Sequence, residues 1–332
     1  MNILGIESTC DETSASVVKD GREILSLVTA SSADIHARYG GVFPELACRR
    51  HIEAIVPVIE EALKKAELSP HEIDAIAVAR GPGLVGALLI GMQVAKGLSI
   101  AWEKPLIGVN HVEAHLYAAM MGVPNPIPLP ALGIVLSGGH TLLLRIEDVG
   151  RYTAIGTTVD DALGEAFDKV AVLLGLPYPG GPHVEQLAKD GDPKKFPFKA
   201  GRVKKSPFDF SFSGIKTSVL YAVKDKTLSP QEKADVAASF QEAALSDIVF
   251  KTGLALKENP SQAIYLGGGV CNNQRLRTLF AEKFPEMPIF WPAPSLSMDN
   301  AAMIAGLGFQ KFLRNPKGDP LDMEVAARIP IA

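Results

Sequence analysis

The chain has 332 residues, long for one hydrophobic core and suited to two domains of ordinary size. Its 47% hydrophobic and 21% charged residues and formal net charge of −4 fit a globular protein and exclude a strongly basic nucleic-acid binder; any nucleic-acid contact must come from a local basic patch or a partner. Three scattered cysteines, Cys10, Cys48 and Cys271, exclude a disulfide framework or a CxxC metal site and point to a reducing cytosol. The N-terminus lacks the basic segment of a signal peptide. The apolar run from Gly83 to Ala101 is interrupted by Gln93, Lys96 and several glycines, and reads as a buried or interface helix rather than a membrane span.

In chain order, residues 2–7 read as a buried strand, Ser8 to Thr13 as a polar turn, and Ala15 to Lys19 as the second strand of a hairpin. Glu23 to Ala30 is a third strand and Tyr39 to Pro44 a loop. Pro44 opens a helix whose apolar stripe is Leu46, Ile52, Ile55, Val56, Ile59 and Leu63. A short β run from Ala75 to Ala79 breaks at Arg80-Gly81-Pro82-Gly83, a helix follows, and the strand Leu106 to Val109 delivers the chain to His111-Val112-Glu113-Ala114-His115. On a helix the two imidazoles leave one face a turn apart, a spacing with which two neutral ring nitrogens grip one divalent metal ion. Glu113 points elsewhere and is the weaker ligand candidate. The competing reading is a helix start capped by Asn110.

The proline-dense stretch Pro124 to Pro130 marks a domain boundary, with lobes at 1–128 and 129–297 and the helix-bearing segment 298–332 returning to the first. Beyond it Leu132-Gly133-Ile134 repeats Leu4-Gly5-Ile6 at an offset of 128, and each triplet runs through a polar turn into a strand entered by a threonine, Thr13 or Thr141. This is the pattern of an internal duplication, two similar halves with a ligand cleft between them. Tyr152 to Gly156 is a strand, a helix begins near Thr158, Leu176 to Pro182 is a tight turn, and Lys194 to Ser213 is a loop that is basic around Arg202, Lys204 and Lys205. Pro230 to Lys257 is helical. Ala263 to Leu266 is a strand ending in Gly267-Gly268-Gly269, with a helix from Asn272; Pro288 to Trp291 is a last strand, and a last long helix runs from about Met298 to Leu313.

Three turns that follow apolar strands have the glycines or hydroxyls to receive phosphate: Ser8 to Thr13, Ser137-Gly138-Gly139-His140-Thr141 and Gly267 to Gly269. None matches a P-loop or a Rossmann fingerprint. Asp168 can accept ribose hydroxyls or pair with a lysine on its own helix. Pro179-Gly180-Gly181-Pro182 either lets a base or ribose approach the backbone or is a plain turn. Asn273 either caps a helix or faces a nucleoside. Asp299, just inside the last long helix, completes a two-His, one-carboxylate set that leaves coordination positions open.

Taken together, Ile6-Glu7-Ser8-Thr9-Cys10-Asp11-Glu12-Thr13, the His111–His115 motif, Ser137 to Thr141, Gly164-Glu165-Ala166-Phe167-Asp168-Lys169, Tyr178 to Pro182, Phe210-Ser211-Phe212-Ser213-Gly214 and Gly267-Gly268-Gly269-Val270 resemble the bacterial TsaD family, formerly called Gcp or O-sialoglycoprotein endopeptidases. The resemblance implies an α/β fold of the ASKHA superfamily (actin, hexokinases, Hsp70), built from duplicated ribonuclease H-like domains. It implies transfer of the L-threonylcarbamoyl group from threonylcarbamoyl-adenylate to N6 of the adenosine just after the anticodon in tRNAs reading codons that begin with A. It also implies metal ligation by His111, His115 and Asp299, with Fe(2+) first and Zn(2+) as the alternative. The adenylate loop falls on Val135, Leu136, Ser137, Gly138 and Gly139, and nucleotide contacts on Asp168, Gly181, Glu185 and Asn273. Asp11 or Glu12 assists proton removal. The implied partners are tRNA, a shorter paralogue, TsaB, and a P-loop ATPase, TsaE, in the cytoplasm with no membrane. Cys271-Asn272-Asn273 departs from the family's Ser-Ala-Asn and leaves Asn273 in place. Against the rival of a metallopeptidase, the chain lacks the HExxH register; against a small-molecule kinase stands the His-His-Asp set, which a kinase does not need; a non-catalytic interaction protein leaves both unexplained.

Overall fold

A computed structural model describes residues 1–32, 43–204, 206–329 and 331, so most of the loop expected at Tyr39 to Pro44, and Lys205, lie outside the described residues. Contacts divide the chain into two units, one made of Met1–Ile127, Val149–Arg151 and Pro292–Ala332, the other of Pro128–Asp148 and Tyr152–Trp291.

In the first unit β1 (Asn2–Glu7), β2 (Glu12–Lys19), β3 (Glu23–Ser31), β4 (Ala75–Gly81) and β5 (Leu106–Asn110) form a sheet in the order β3-β2-β1-β4-β5. β1 is antiparallel to β2 and parallel to β4. Helices cover both faces, which is why β1 reads as an unbroken apolar run rather than an alternating one. Leu4 and Ile6 join a core with Ile55, Ile59, Ala62 and Met92 from helices α1 (Pro44–Lys65) and α2 (Val85–Trp102). On the opposite face Gly5 admits another helix so closely that a Cβ there would stand 2.3 Å from the carbonyl of Ala301.

The stripe expected on α1 is only half right. Ile55, Ile59 and Leu63 are buried with Ala47, His51, Val58 and Ala62, but Ile52 and Val56 are 65% and 51% exposed. α2 buries Ala87, Leu88, Gly91, Met92, Ala95 and Ser99 and leaves Val85, Leu89 and Ile100 outside. α2 is long and apolar enough to cross a membrane by length and composition alone, and 33% of it is buried within the chain. α3 (His111–Met120) is buried all round.

The second unit repeats the plan with β6 (Ala131–Leu136), β7 (Thr141–Asp148), β8 (Arg151–Thr157), β9 (Ile264–Gly267) and β10 (Ile289–Phe290), in the order β10-β9-β6-β7-β8. β6 is antiparallel to β7 and parallel to β9, as β1 is to β2 and β4. The register is repeated as well. Gly5 opposite Ser16 and Ile6 opposite Ala15 recur as Gly133 opposite Leu144 and Ile134 opposite Leu143, each 128 residues on. The chain therefore has the duplicated ribonuclease H-like fold that the resemblance implies.

Helix boundaries in this unit correct several expectations. α4 spans Leu163–Leu174 and does not begin near Thr158, which forms a bridge to Phe210. The tight turn expected up to Pro182 gives way to α5 (Gly180–Ala188), because the Asp168 carboxylate accepts the Gly180 N–H at 2.7 Å and satisfies a first-turn donor. α6 (Ser213–Val223) and α7 (Pro230–Glu258) follow, and α8 (Gln274–Lys283) starts two residues later than Asn272. In the first unit a short α9 (Pro294–Ser297) precedes α10 (Ala301–Arg314), whose cap is Asn300 accepting from the Met303 N–H; Asp299 thus stands before the helix, not inside it.

Candidate active site

β5 ends on Asn110, whose side chain accepts the N–H groups of Val112 and Glu113 at 2.9 and 3.3 Å, so the helix must begin at His111. That puts His111 and His115 one turn apart on α3, with ring centroids 4.7 Å from each other. The strand-like approach to α10 brings Asp299 Oδ1 to 3.5 Å from His111 Nε2 and 3.2 Å from His115 Nε2. One donor atom from each of the three lies within 4.8 Å of the others. His115 is fully buried, yet among the described residues neither ring nitrogen has a hydrogen-bond partner; the contact to Asp299 is an ion-pair distance without hydrogen-bond geometry. A buried imidazole without partners is costly unless a cation supplies what is missing, and two imidazoles with a carboxylate suit a divalent ion. Glu113 is buried but does not belong to the set.

Behind His111 stands a residue that the sequence reading passed over. Glu7 is fully buried at the end of β1; its Oε2 lies 3.0 Å from His111 Nδ1, and its Oε1 accepts the Thr9 N–H at 2.6 Å. An acid ending an apolar buried strand was the available signal, because a buried carboxylate needs partners. Burial works to lower the affinity of His111 for a proton, but Glu7 and Asp299 outweigh it and push the pKa up to about 9. The same two carboxylates that hold a proton there would favour a metal cation. A carboxylate on Nδ1 also leaves Nε2 as the ligating nitrogen.

Asp11 lies in the β1–β2 turn and Glu12 opens β2. The Asp11 carbonyl accepts from the Ser32 N–H and hydroxyl, and Ser31 Oγ lies 3.3 Å from Glu12 Oε1. Burial, then the neighbouring Asp11 and Asp299, push the Glu12 carboxyl well above the ordinary carboxylate range. Burial and the neighbouring Asp11 and Asp299 likewise push the Cys10 thiol far up, which excludes it as a thiolate nucleophile.

In the second unit the β6–β7 turn is closed by Ser137 N–H to His140 O at 2.9 Å and by Ser137 Oγ accepting the His140 N–H at 3.1 Å. Val135 and Leu136 are buried in β6, while a Cβ at Gly138 or Gly139 would meet nothing within 4 Å. Beside this turn the fold itself requires Gly164 and Gly268 to be glycine. A Cβ at Gly164 would stand 2.7 Å from Ser137 O; Gly268, with φ of +94°, would place one 2.4 Å from Leu136 O. In the same way Gly180 allows close packing on Ala171, while a Cβ at Gly181 would meet no described atom within 4 Å.

The nucleotide candidates join this turn in a ring of contacts. Asp168 on α4 holds the N-terminus of α5, and Glu185 on α5 accepts the Gln274 N–H at 2.7 Å, at the N-terminus of α8. Asn273 caps α8 through the Leu276 N–H at 3.0 Å and donates to Gln241 Oε1 at 2.8 Å. Gly268 then leads back to Leu136. The open glycine turn is the setting for phosphate here, because the N-termini of α5 and α8 are already met by the Asp168 and Glu185 carboxylates. Asn273 is only 6% exposed and engages partners with both ends of its amide, so its framework role is plain whatever it does for a ligand. Among the expected basic groups, Arg202 lies close enough to Asp247 to influence its carboxyl, and Lys204 is exposed.

A sequence model of the family described as tRNA N6-adenosine threonylcarbamoyltransferase matches residues 23–306. A protein of that name from Protochlamydia amoebophila (strain UWE25) is 56% identical over 338 aligned residues, covering 100% of this chain and 98% of the relative. Another, from Anaeromyxobacter sp. (strain Fw109-5), is 50% identical and covers 99% of this chain and 100% of its own. Among solved structures, HypF of T. kodakarensis has a TM-score of 0.64 at 14% identity, over 98% of this chain and 49% of that one. Component A of the (R)-2-hydroxyglutaryl-CoA dehydratase of Acidaminococcus fermentans has a TM-score of 0.56 at 17% identity, over 94% and 98%. At these identities the structural likenesses speak for the fold alone.

Proposed function

Since the chain belongs to the tRNA N6-adenosine threonylcarbamoyltransferase (TsaD) family, we propose how its own residues carry out the reaction of that family. The enzyme transfers the L-threonylcarbamoyl group from threonylcarbamoyl-adenylate to N6 of the adenosine next to the anticodon of tRNA. The N6 nitrogen attacks the carbamoyl carbon, the bond from that carbon to the phosphate oxygen breaks with its electron pair leaving on AMP, and N6 loses a proton. His111, His115 and Asp299 hold a divalent ion, Fe(2+) in the first place and Zn(2+) as the alternative. When bound, the ion supplies Lewis-acid polarisation of the carbamoyl carbonyl. Val135, Leu136, Ser137, Gly138 and Gly139 receive the adenylate, with Asp168, Gly181, Glu185 and Asn273 setting the nucleotide. Asp11 or Glu12, adjacent carboxylates at the start of the β1–β2 hairpin, takes the N6 proton. An exocyclic amine is a weak nucleophile, so positioning carries much of the rate.

The observation that carries this reading is the meeting of buried His111 and His115 with half-buried Asp299, with both His115 ring nitrogens without a hydrogen bond to any described residue and Glu7 behind His111. Elemental analysis of the purified protein and of its His111→Ala, His115→Ala variant, paired with mass spectrometry of tRNA nucleosides from cells depleted of the protein, tests it. Equal metal content in the two preparations would sink the ligand assignment; unchanged threonylcarbamoyl-adenosine would sink the reaction.

The exposed Ile52, Val56, Val85, Leu89 and Ile100 of α1 and α2 make an apolar outer surface. It is the surface for a shorter paralogue of the TsaB type, with a P-loop ATPase of the TsaE type joining the complex. The three free cysteines and a tRNA substrate support a cytoplasmic location for the assembly. Leu88 is fully buried, so a charge there unfolds the chain, whereas a charge at Leu89, 42% exposed, should abolish co-purification with the paralogue and leave circular dichroism unchanged.

A further inference from the structure

α1 buries a histidine among Ala47, Ile55, Val58 and Ile59. His51 is 1% exposed, where an apolar side chain would fill the volume without the cost of desolvating a polar ring. Its two nitrogens reach the β1–β2 turn. Nε2 lies 3.1 Å from the carbonyl oxygen of Cys10, and Nδ1 lies 2.8 Å from Thr13 Oγ1. A carbonyl can only accept, so Nε2 carries the proton, and Nδ1 accepts from the Thr13 hydroxyl. The two bonds therefore land on either side of Asp11 and Glu12 and bridge the ends of the segment that bears both carboxylates. Other grips hold the rest of the turn. Leu84 N–H donates to Thr9 O at 2.9 Å, Ser8 Oγ donates to Ala87 O at 3.0 Å, and the Ser32 N–H donates to Asp11 O at 3.0 Å.

We propose that His51 is a positioning residue for the transfer reaction, a clamp that sets the Cys10–Thr13 segment and so aims Asp11 and Glu12. The proposal rests on the roles given above to those two carboxylates. It separates α1 into two functions. The inner face fixes the turn through His51, and the neighbouring Ile52 belongs to the exposed surface.

The test uses the full-length, metal-loaded chain in its complex, with His51→Gln, His51→Leu, Thr13→Val and Thr13→Ser. Thr13→Val keeps the shape of a buried side chain and removes the hydroxyl alone, so the proposal does not depend on whether His51→Leu folds. Three quantities are read: kcat and KM for threonylcarbamoyl-adenylate, metal content, and amide hydrogen exchange in the peptide spanning Ser8 to Ser14. His51→Gln and Thr13→Val should each lower kcat about tenfold or more, the scale of a small misplacement of reacting groups. KM and metal content should stay near wild type, exchange should quicken in that peptide, and Thr13→Ser should restore kcat. The double variant His51→Gln, Thr13→Val should be no slower than the slower single one, because both break the same clamp. Asp11→Asn and Glu12→Gln serve as references. If they lose activity while every His51 and Thr13 variant keeps the wild-type kcat, the clamp is refuted and the carboxylate roles stand. If Asp11→Asn and Glu12→Gln keep full activity, the carboxylate roles fail and the clamp fails with them.

Discussion

The β1–β2 and β6–β7 turns occupy the same place in two copies of one sheet and are filled in opposite ways. At the offset of 128 that aligns the strands, Cys10 and Asp11 correspond to Gly138 and Gly139, and Thr13 corresponds to Thr141. The threonine keeps one job in both copies, tying the hairpin to a helix: Thr13 Oγ1 meets His51 on α1, and Thr141 Oγ1 accepts the Leu163 N–H at the start of α4 at 2.8 Å. Between these anchors the copies part. The first turn carries a thiol and two carboxylates and is packed against α2, where a Cβ at Gly91 would stand 2.3 Å from Ser8 Oγ. The second turn is bare glycine with open space above it, pressed from beneath by Gly164 and Gly268. Duplication supplied a rigid hairpin twice. Side-chain chemistry turned one copy into a holder of ionisable groups and left the other as uncrowded glycine backbone.

The largest break in this comparison comes from the first copy's surroundings. His111→Ala, His115→Ala should remove the metal and lower transfer by about a thousandfold, the several kcal/mol that a Lewis acid contributes. AMP binding, which this reading assigns to the second copy alone, should be unchanged by calorimetry. A parallel loss of AMP affinity would show that the two copies do not divide the work. Glu7→Gln comes next. It keeps size but cannot serve both His111 Nδ1 and the Thr9 N–H as acceptor, so metal affinity should fall about 10- to 100-fold in a chelator competition.

In the second copy the two kinds of glycine should separate cleanly. Gly268→Ala, at positive φ and against Leu136 O, should destabilise by about 1–3 kcal/mol in urea unfolding. Gly139→Ala should leave the midpoint where it is and weaken AMP binding instead. Wild-type AMP affinity in Gly139→Ala would mean that the open space is not ligand space. The smallest effect belongs to the frame around that turn. Asp160 accepts the N–H groups of Phe212 and Ser213 and the hydroxyls of Ser211 and Ser213 at the start of α6. Burial raises its carboxyl pKa, but these bonds outweigh it and hold it below the ordinary 3.8. A carboxyl depressed in the folded state contributes stability above its ordinary pKa and loses it as pH falls through the folded value. Asp160→Asn should therefore cost about 1 kcal/mol at neutral pH and flatten the acid limb of stability against pH; an unchanged acid limb would assign that limb to other carboxylates.

What the sequence determined by itself is what neighbours along the chain decide. The spacing of His111 and His115 on one helical face, the Asn110 cap, the two hairpins and their repeat all follow from periodicity and local hydrogen bonding, which act over a few residues. Asp299 is named from the motif resemblance and not from periodicity; only the tertiary structure put it ahead of its helix, set Glu7 behind His111, and made Gly164, Gly180 and Gly268 glycines that packing requires. Those facts depend on segments far apart in the chain meeting at a few ångströms, which no periodicity encodes. The outward turn of Ile52 and Val56 was illegible for a related reason. An apolar side chain is written the same way whether it is meant for its own core or for another protein's surface, and the choice between them is made only when the core is full.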